Sequence, residues 1–572
     1  MKKFVLIFTL ILLASFARAY DAKIGGIYYD FITKAKVAVV TQGDEKYTGE
    51  ITIPETVEYG GITHTVTSVN DNSFIACAEL TKVILPDNIT VIGNSAFKDC
   101  YALMSVKLPA NLERIGTNAF HWCKSLTSIE LPAGLKEIGE YGFCSCSSLT
   151  SIAWPEQIEK IGDKAFAGCT SLKTVSLPEG MKTVSSNIFN GCISLESVSM
   201  PESITTIEEG AFENTSLKSV SIPQNIMRIG AKAFANTTLT SVVVPEAVQE
   251  LGHSLFSGCK ELATVQLPSH ITSIPANCFY SCFSLKEMPI PQGVKSIDDG
   301  AFYKCTGLTS FDIPNSVTSI GQSAFAETSF TRLEIPSHIT ELGIGVFQGC
   351  PNLEYVKING QVKNLENYMF QDCVNLRKVE LPESIIHIYG YVFSNCESLE
   401  EVNFDNITLI SSFAFQNCKK LTSVNLPKIE TLFTEVFSGC TDLRTVSLGS
   451  RIKEFTTGDR HGGSTYVFKG CENLEDFYCY AETVPKTGGG DFSGAYIEYA
   501  TLHVPSSAIE AYRSASPWKD FGKIVAIDDT AIKDLKASAP ASDSPYFTLG
   551  GIRTTQPKRG LYIKDGKKVI VK

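Results

Sequence analysis

A phenylalanine that recurs at a nearly constant interval constrains the fold of this chain more than any other feature. Successive members of the series lie 22 or 23 residues apart, except for a last interval of 31 residues. Self-similarity at a period of about 20 to 29 residues is typical of a solenoid, in which each repeat buries its apolar side against its neighbours. We therefore expect a repeat solenoid of about 18 coils. The series is Phe74, Phe97, Phe120, Phe143, Phe166, Phe189, Phe212, Phe234, Phe256, Phe279, Phe302, Phe325, Phe347, Phe370, Phe393, Phe415, Phe437 and Phe468.

One well-kept repeat shows how a coil is expected to fold. The segment 126–146 reads LTSIELPAGLKEIGEYGFCSC. Ile129 and Leu131 are two residues apart, which places both side chains on one face of a strand. Pro132 has no N–H for the strand ladder, so the chain is expected to turn there. The pattern predicts one parallel strand per coil in an open sheet of about seventeen strands, and a second apolar segment that begins at Ile138 and ends at the repeat phenylalanine.

The repeat pattern L-x-x-V/I-x-L-P-x-x-I-x-x-I-G-x-x-A-F-x-G-C resembles the BspA-like leucine-rich repeat family, typical of the Bacteroidetes, over about residues 67–480. The resemblance implies an exported protein that acts as an adhesin for host matrix proteins or other microbes. Proline is missing at three strand ends, at 358–359, 404–405 and 448–449, where we expect looser corners.

The N-terminal region is expected to contain an export signal and a cap. Residues 1–19 combine two lysines, an apolar run and the Ala17-Arg18-Ala19 cleavage pattern, which is typical of a signal peptide. No other segment approaches the 18 apolar residues of a membrane span. Residues 20–66 lack the repeat and predict a β-rich N-terminal cap. The protein is therefore expected at the cell surface or outside the cell.

The C-terminal region divides into a cap, a linker and a tail. Residues 481–527 predict a C-terminal cap with a strand and a short helix, and residues 528–545 have the Ala, Ser, Asp and Pro content of a linker. Residues 546–572 resemble the C-terminal sorting signals of the type IX secretion route, which implies association with the outer membrane. A small β tail that docks on the solenoid is the alternative for this segment.

The charge of the chain argues against nucleic-acid binding. There are 50 basic and 61 acidic residues, for a net charge of -11, so the chain has no general basic field for a phosphate backbone. The expected ligand is a protein or glycan on a host or microbial surface, bound by a monomer.

Cysteines form a second repeating series, three residues after most repeat phenylalanines. Equivalent positions in stacked coils point their Cβ atoms in parallel, and threonine replaces cysteine in three repeats. Both observations favour buried free thiols over a disulfide framework. The sequence contains no C-x-x-C pair and no motif for a cofactor, so no metal site, cofactor or catalytic residue is predicted. His121 and Cys144 occupy equivalent positions in adjacent coils and could meet, but the pattern favours an exposed row of unlike residues over a catalytic pair.

Two surfaces are candidates for ligand binding. A column of hydroxyl residues is expected on the outer face of the sheet, and it includes Ser197, Ser219, Ser241 and Thr264. The long interval before Phe468 accommodates an insertion at 456–464, which contains Asp459, Arg460 and His461, and insertions in solenoids often bind ligands. Hydroxyls that are merely tolerated on an exposed sheet, and a surface loop without function, are the alternatives.

These features predict a non-enzymatic, adhesin-like binding protein. The alternative is an exported hydrolase or glycan-processing accessory protein whose site the sequence does not reveal.

Overall fold

The computed structural model describes residues 20–458 and 464–527, and the backbone of four strands between 546 and 571. The expected signal peptide at 1–19 and the expected linker at 528–545 lie outside the described residues. The described chain divides into two compact units. The first unit consists of the chain up to Asn403 together with Ile410–Lys420. The second consists of Phe404–Leu409 and Leu421–Lys572.

The segment that precedes the repeats is rich in β-structure. Ile27–Ile32 pairs antiparallel with both Ala22–Ile24 and Val37–Val40. Val37–Val40 then pairs in parallel with Ile62–Val69, which in turn pairs in parallel with Val91–Ile92 of a repeat coil. Its strands are Ala22–Ile24, Ile27–Ile32, Val37–Val40, Gly49–Thr52, Thr56–Tyr59 and Ile62–Val69, with a 3-10 helix at Thr33–Ala35. The segment therefore continues the parallel ladder of the coils, and its role as a cap stays a prediction.

The predicted strand before each proline forms a first lane of parallel strands in the first unit. Thr174 pairs with Ser197, and Ser241 pairs with Thr264, so equivalent positions of consecutive coils lie side by side. This arrangement confirms the predicted solenoid with a parallel sheet face. The strands of this lane are Leu80–Ile84, Ser105–Lys107, Thr174–Ser176, Ser197–Ser199, Ser241–Val243, Thr264–Gln266, Arg332–Ile335, Tyr355–Ile358, Lys378–Glu380 and Glu401–Val402.

A second lane of two-residue strands runs through the same coils, where the sequence predicted only an apolar segment. Each strand ends at the Ile, Leu or Val that often precedes glycine. At Gly139 an added Cβ would lie 2.6 Å from the backbone nitrogen of Thr117, so the missing side chain lets adjacent coils approach closely. In the first unit these strands are Val91–Ile92, Arg114–Ile115, Glu137–Ile138, Lys160–Ile161, Thr183–Val184, Thr206–Ile207, Arg228–Ile229, Glu250–Leu251, Ser273–Ile274, Ser296–Ile297, Ser319–Ile320, Glu341–Leu342, Asn364–Leu365 and His387–Ile388, and a further strand lies at Leu409–Ile410.

The first lane is interrupted, so the expectation of one open sheet of about seventeen strands is wrong. Residues 217–222, 286–290 and 309–313 contain no strand, and 126–131 contributes only the isolated bridge from Glu130 to Ala153. Pro289 stands inside the would-be strand of its coil, where it removes a ladder donor. Phe311 takes the place of a smaller Val or Ile, and its ring meets the Phe302 ring edge-on at 5.3 Å. Local sequence thus explains two of these interruptions, at 286–290 and 309–313.

The repeat phenylalanines form the core. All eighteen are at most 1% exposed. In the first unit consecutive rings stack nearly parallel, with centroids from 4.8 Å apart at Phe74 and Phe97 to 6.1 Å apart at Phe166 and Phe189. Each ring therefore buries both faces against the coils on either side.

The second unit repeats this architecture and contains a short helical segment between its last two parallel strands. Its strands are Ser423–Leu426, Thr431–Phe433, Thr445–Leu448, Glu454–Thr456, Asp476–Cys479, Thr501–Pro505 and Lys523–Ile527, with an α-helix at Ile509–Ser514 and 3-10 helices at Ile497–Tyr499 and Trp518–Asp520. The predicted strand and short helix of the C-terminal region are therefore present. The tail contains an antiparallel sheet of Tyr546–Thr548, Arg553–Thr554, Gly560–Lys564 and Lys567–Val571.

The coil pattern of the second unit extends past residue 480, where the sequence predicted its end. Phe492 stacks on Phe468 with ring centroids 5.7 Å apart. Thr501–Pro505 and Lys523–Ile527 add two further parallel strands to the sheet. Trp518 is fully buried against Phe477 and Phe492 at centroid distances of 5.7 Å. The region 481–527 therefore continues the core as well as ending it.

Two of the corners that lack proline are hydrogen-bonded, so the expectation of looseness is wrong for them. The Asn359 N–H donates to the Ile335 carbonyl at 2.8 Å, and the Gly449 N–H donates to the Leu426 carbonyl at 3.0 Å. Proline has no such donor. Its absence therefore lets the strand ladder run one residue further.

Candidate binding surfaces

The four predicted hydroxyl residues lie on the outer side of the first unit. Ser197, Ser219, Ser241 and Thr264 are all exposed. Ser197, Ser241 and Thr264 stand in strands of the first lane, whereas Ser219 lies in a coil without a strand. The structure thus places them along one lane but in two separate sheets, one with Ser197 and the other with Ser241 and Thr264.

A second exposed row runs beside the hydroxyls and is also uncharged. It lies two residues further along each coil and contains Ser176, Ser199, Ser221, Val243 and Gln266. Val243 is the most apolar member and is 57% exposed. From 174 to 266 the outer face of the lane is therefore a band of small polar and aliphatic side chains, which we call the uncharged band.

A charged stretch of the same lane was missed by sequence reasoning. Arg332 lies over the Tyr355 ring at 4.4 Å, and Lys357 pairs with Glu334 at 3.8 Å. Lys378 bridges the outer face, 2.9 Å from Glu401. The signal was available in sequence as Arg, Tyr, Lys and Glu at the register of the hydroxyls. These cations and anions pair with one another across strands.

The residues predicted in the insertion cannot be placed beside these surfaces. Asp459, Arg460 and His461 lie outside the described residues. On the described side, the Gly458 N–H donates to Thr456 Oγ1 at 3.1 Å in a left-handed turn.

The cysteine series is buried, as predicted, and it is bonded to the coil backbone. All 18 cysteines of the chain are buried and present as free thiols. The typical thiol donates a hydrogen bond to the carbonyl of the phenylalanine one coil earlier, as from Cys305 Sγ to Phe279 O at 3.0 Å. Thr215 fills the same slot and donates instead to Phe212 O in its own coil, at 2.9 Å. The slot therefore requires a small donor rather than a reactive group.

Burial makes most of these thiols poor nucleophiles. It raises the pKa of Cys192 and of Cys305 to about 12, so both stay protonated near neutral pH. The first thiol differs, because its interaction with Cys100 lowers the pKa of Cys77. Cys77 is nevertheless only 2% exposed.

His121 and Cys144 have no features of an activated catalytic pair. Burial lowers the pKa of His121, whose Nδ1 is buried and has no hydrogen-bond partner among the described residues. Burial raises the pKa of Cys144, and its Sγ lies 3.6 Å from Ser145 Oγ. A nucleophilic cysteine needs the opposite shift.

The described residues contain no group of three or more His, Cys, Asp or Glu side chains that could hold a metal ion. Among the same residues no helix is both long and apolar enough to cross a membrane.

The chain is similar to several leucine-rich repeat proteins of known structure. A leucine-rich repeat protein from Bacteroides ovatus is 25% identical, with 89% of this chain and 100% of that chain covered and a TM-score of 0.32. A leucine rich cell surface protein from Faecalibacterium prausnitzii is 24% identical, with coverage of 77% and 95% and a TM-score of 0.37. The leucine rich repeat protein of T. pallidum is 31% identical, covering 32% of this chain and 83% of its own, with a TM-score of 0.30. No curated protein matches the chain.

The family comparison agrees with the coil architecture. The model of the BspA type leucine rich repeat region matches residues 55–152, 136–262, 228–354 and 340–475, which together span most of the chain. The repeat phenylalanines from Phe74 to Phe468 fall within these matches. This chain belongs to the family of BspA type leucine-rich repeat proteins.

Proposed function

We propose that this protein is a non-enzymatic, adhesin-like binding protein, exported to the cell surface or the extracellular space and associated with the outer membrane. Its ligands are host matrix proteins, other cells or glycans. The observation that carries the proposal is the uncharged band. The side chains of Ser197, Ser241 and Thr264 are exposed and contribute no packing to the core, so they are available for contacts with a ligand. Membership of the leucine-rich repeat family is compatible with this role.

The physical character of the band determines how it would bind. A single hydroxyl contact contributes only about 0.5 to 1.5 kcal/mol net, so affinity must come from many contacts at once. The ladder from Thr174 to Ser197 and from Ser241 to Thr264 holds the contact groups in fixed positions, so little conformational entropy is lost on binding. A ligand with an extended, repetitive surface suits such a band.

Three lysines placed in the band provide the test. The full chain carrying Ser197→Lys, Ser219→Lys and Ser241→Lys is applied to an array of matrix proteins and glycans beside the natural protein. A matched control carries Thr183→Lys, Thr206→Lys and Ser273→Lys in the second lane, which adds the same charge. We expect loss of the array signal in the first variant only. Equal binding by both would show that the band is not the binding surface.

The insertion at 456–464 is the alternative binding surface for the same proposed function. Replacing 456–464 by a short Gly-Ser turn removes Asp459, Arg460 and His461. If this variant alone loses the signal, the binding energy is concentrated in the insertion, as in a hot spot. A turnover assay on every array ligand that binds tests the non-enzymatic part of the proposal, since product formation would contradict it.

A further inference from the structure

A groove of about 890 Å³ opens in the second unit, at the ends of the strands Ser423–Leu426, Thr445–Leu448, Asp476–Cys479 and Thr501–Pro505. Its wall includes the corner residues Pro427, Gly449, Tyr480 and Pro505, one at the end of each of four neighbouring strands. Most coils place proline at this corner. Here two of the four positions carry glycine and tyrosine. This volume is in the range of ligand sites, about 300 to 1,000 Å³.

Glycine at the second corner position leaves one side of the tyrosine uncovered. The Tyr480 N–H donates to the Leu448 carbonyl at 3.0 Å, which extends the ladder and places Tyr480 beside Gly449. A Cβ at Gly449 would collide with the carbonyl oxygen of Pro427, so close packing of the coils excludes a side chain there. Tyr480 is therefore half-buried in its own coil, with room beside its ring.

Arg451 provides an unpaired cation in the same groove. It is exposed, and the structure gives it no ion pair with any described residue. The nearby Glu430 carboxylate is held by Lys453, whose Nζ lies 2.6 Å away. That contact, more than the weaker field of Arg451, lowers the pKa of Glu430. The guanidinium is therefore free to bind a carboxylate with two parallel hydrogen bonds.

The remaining polar groups are small or uncharged, apart from one carboxylate. Asn425 and Ser447 lie side by side in register on neighbouring strands and line the groove. Burial raises the pKa of Tyr480, so its phenol stays neutral and does not repel an anion. Glu482 is exposed at the wall, and it is the one lining carboxylate that has no salt bridge to a described residue.

We propose that this groove binds an acidic glycan, with a sugar ring against Tyr480 and the sugar carboxylate on Arg451. An aromatic ring beside an amide and a hydroxyl suits the mixed apolar and hydroxylated faces of a pyranose better than an acidic peptide, which offers charge without a flat ring. Arg451 favours a glycan with a carboxylate over a neutral one. The inference goes beyond the proposed function, since it assigns a ligand class to a surface distinct from the uncharged band.

The test measures binding of a hyaluronan hexasaccharide, which carries a carboxylate on every second sugar, to the full chain by titration calorimetry. Arg451→Gln removes the cation, and Ser447→Trp fills the space on the neighbouring strand. The matched controls are Arg377→Gln and Ser493→Trp, which change exposed residues that do not line the groove. Chitohexaose and polyglutamate replace the probe in parallel titrations, and thermal unfolding verifies that each variant is folded.

We expect both groove variants to bind hyaluronan about tenfold more weakly or worse, which corresponds to the loss of about 1.4 kcal/mol, while both controls bind as the natural protein does. Chitohexaose and polyglutamate should bind at least about tenfold more weakly than hyaluronan. Equal binding of polyglutamate would assign the groove to acidic peptides, and equal binding of chitohexaose would remove the role of Arg451. Binding that survives Ser447→Trp, or no hyaluronan binding at all, would overturn the proposal.

Failure of this inference is distinguishable from failure of the proposed function. If the protein does not bind hyaluronan but the lysine substitutions in the uncharged band still abolish the array signal, the proposed function stands and the groove inference fails. A chain that binds hyaluronan through Arg451 and gives no band-dependent signal retains the groove alone.

Discussion

At the scale of single residues, the coil is held by contacts that each reach only one coil away. The Phe302 ring lies 5.4 Å from the Phe279 ring and 5.2 Å from the Phe325 ring, centroid to centroid. The Cys305 thiol in the same coil donates to the backbone at Phe279. Core packing and polar bonding therefore follow the same neighbour-to-neighbour pattern.

Replacing one central ring tests the packing. We expect Phe302→Ala to lower the free energy of unfolding by about 3 to 5 kcal/mol, because it leaves a cavity that two stacked neighbours and the edge of Phe311 cannot fill. Urea unfolding followed by circular dichroism measures the loss. Phe283→Ala, at a ring that is 39% exposed, is the control and should change stability by less than about 0.5 kcal/mol. Similar effects of the two substitutions would contradict the assignment of the core.

The buried thiols predict a loss of stability at alkaline pH. Cys192 has its pKa raised from 9.0 to about 12. Between these values the unfolded chain has lost the thiol proton and the folded chain keeps it, so the free energy of unfolding falls as pH rises. The slope is about 1.4 kcal/mol per pH unit for each such thiol. Cys192→Thr should reduce the slope between pH 9 and pH 11 by that amount, since threonine occupies this slot naturally at Thr215.

The control for the alkaline experiment is Thr215→Ser, which changes a neighbouring slot without changing a titrating group. Urea titrations under reducing conditions at each pH supply the slopes. An unchanged slope in Cys192→Thr would mean that this thiol ionises in the folded state.

At the scale of elements, the last coils of the second unit close the core with a tryptophan. Trp518 Nε1 donates to the Pro485 carbonyl at 3.2 Å, and its ring meets Tyr512 edge-on at 5.5 Å. Phe477 and Phe492 contact the same ring. The helical segment is thus anchored by two large buried side chains, Trp518 and Tyr512, rather than by its own short length.

Removing the tryptophan should destabilise the end of the second unit. We expect Trp518→Ala to cost about 3 to 5 kcal/mol, and hydrogen exchange should show the loss first in Lys523–Ile527 and the neighbouring Thr501–Pro505. Tyr499→Ala is the control, since Tyr499 is 84% exposed. Exchange that stays slow in both strands would show that the helical segment is not needed to hold them.

The elements also show where sequence reasoning reached its limit. A period of 22 or 23 residues and the alternation of Ile129 and Leu131 were enough to predict coils with parallel strands. The second lane was missed because two residues, such as Glu137–Ile138, show no alternation. The interruptions of the first lane at Pro289 and Phe311 each depend on a single residue. The surrounding repeat pattern is regular, so the periodicity alone does not predict them.

The backbone of each coil carries a further signal that was available in sequence. Two positions per coil, two residues before and two after the phenylalanine, are left-handed, as at Asn187 and Gly191. Gly and Asn recur there because they tolerate positive φ, and Ser is also frequent at these positions. The candidate groove was harder to predict, since it requires knowing that Gly449 and Tyr480 share a corner with Pro427 and Pro505.

At the scale of the whole molecule, the tail at 546–572 is expected to act as a sorting signal for export. We predict that deletion of 546–572 leaves the coils folded and prevents arrival at the cell surface, because the segment resembles a sorting signal of the type IX route. Surface labelling of whole cells with cell fractionation measures the outcome. Deletion of 456–464 controls for a shortened chain and should leave surface arrival intact. Normal surface display without the tail would contradict the prediction.

The neighbour-only bonding of the coils has a consequence for how the gene can change. Loss of a single residue within a coil shifts its phenylalanine, its thiol and its corner out of register with the neighbouring coil. The ring stacking, the thiol hydrogen bond and the strand pairing are then lost together. Loss of the 23 residues from one phenylalanine to the next, as from Phe279 to Phe302, instead joins two surfaces that already match. Recombination between repeats can therefore lengthen or shorten the protein by whole coils while each remaining coil keeps its bonds.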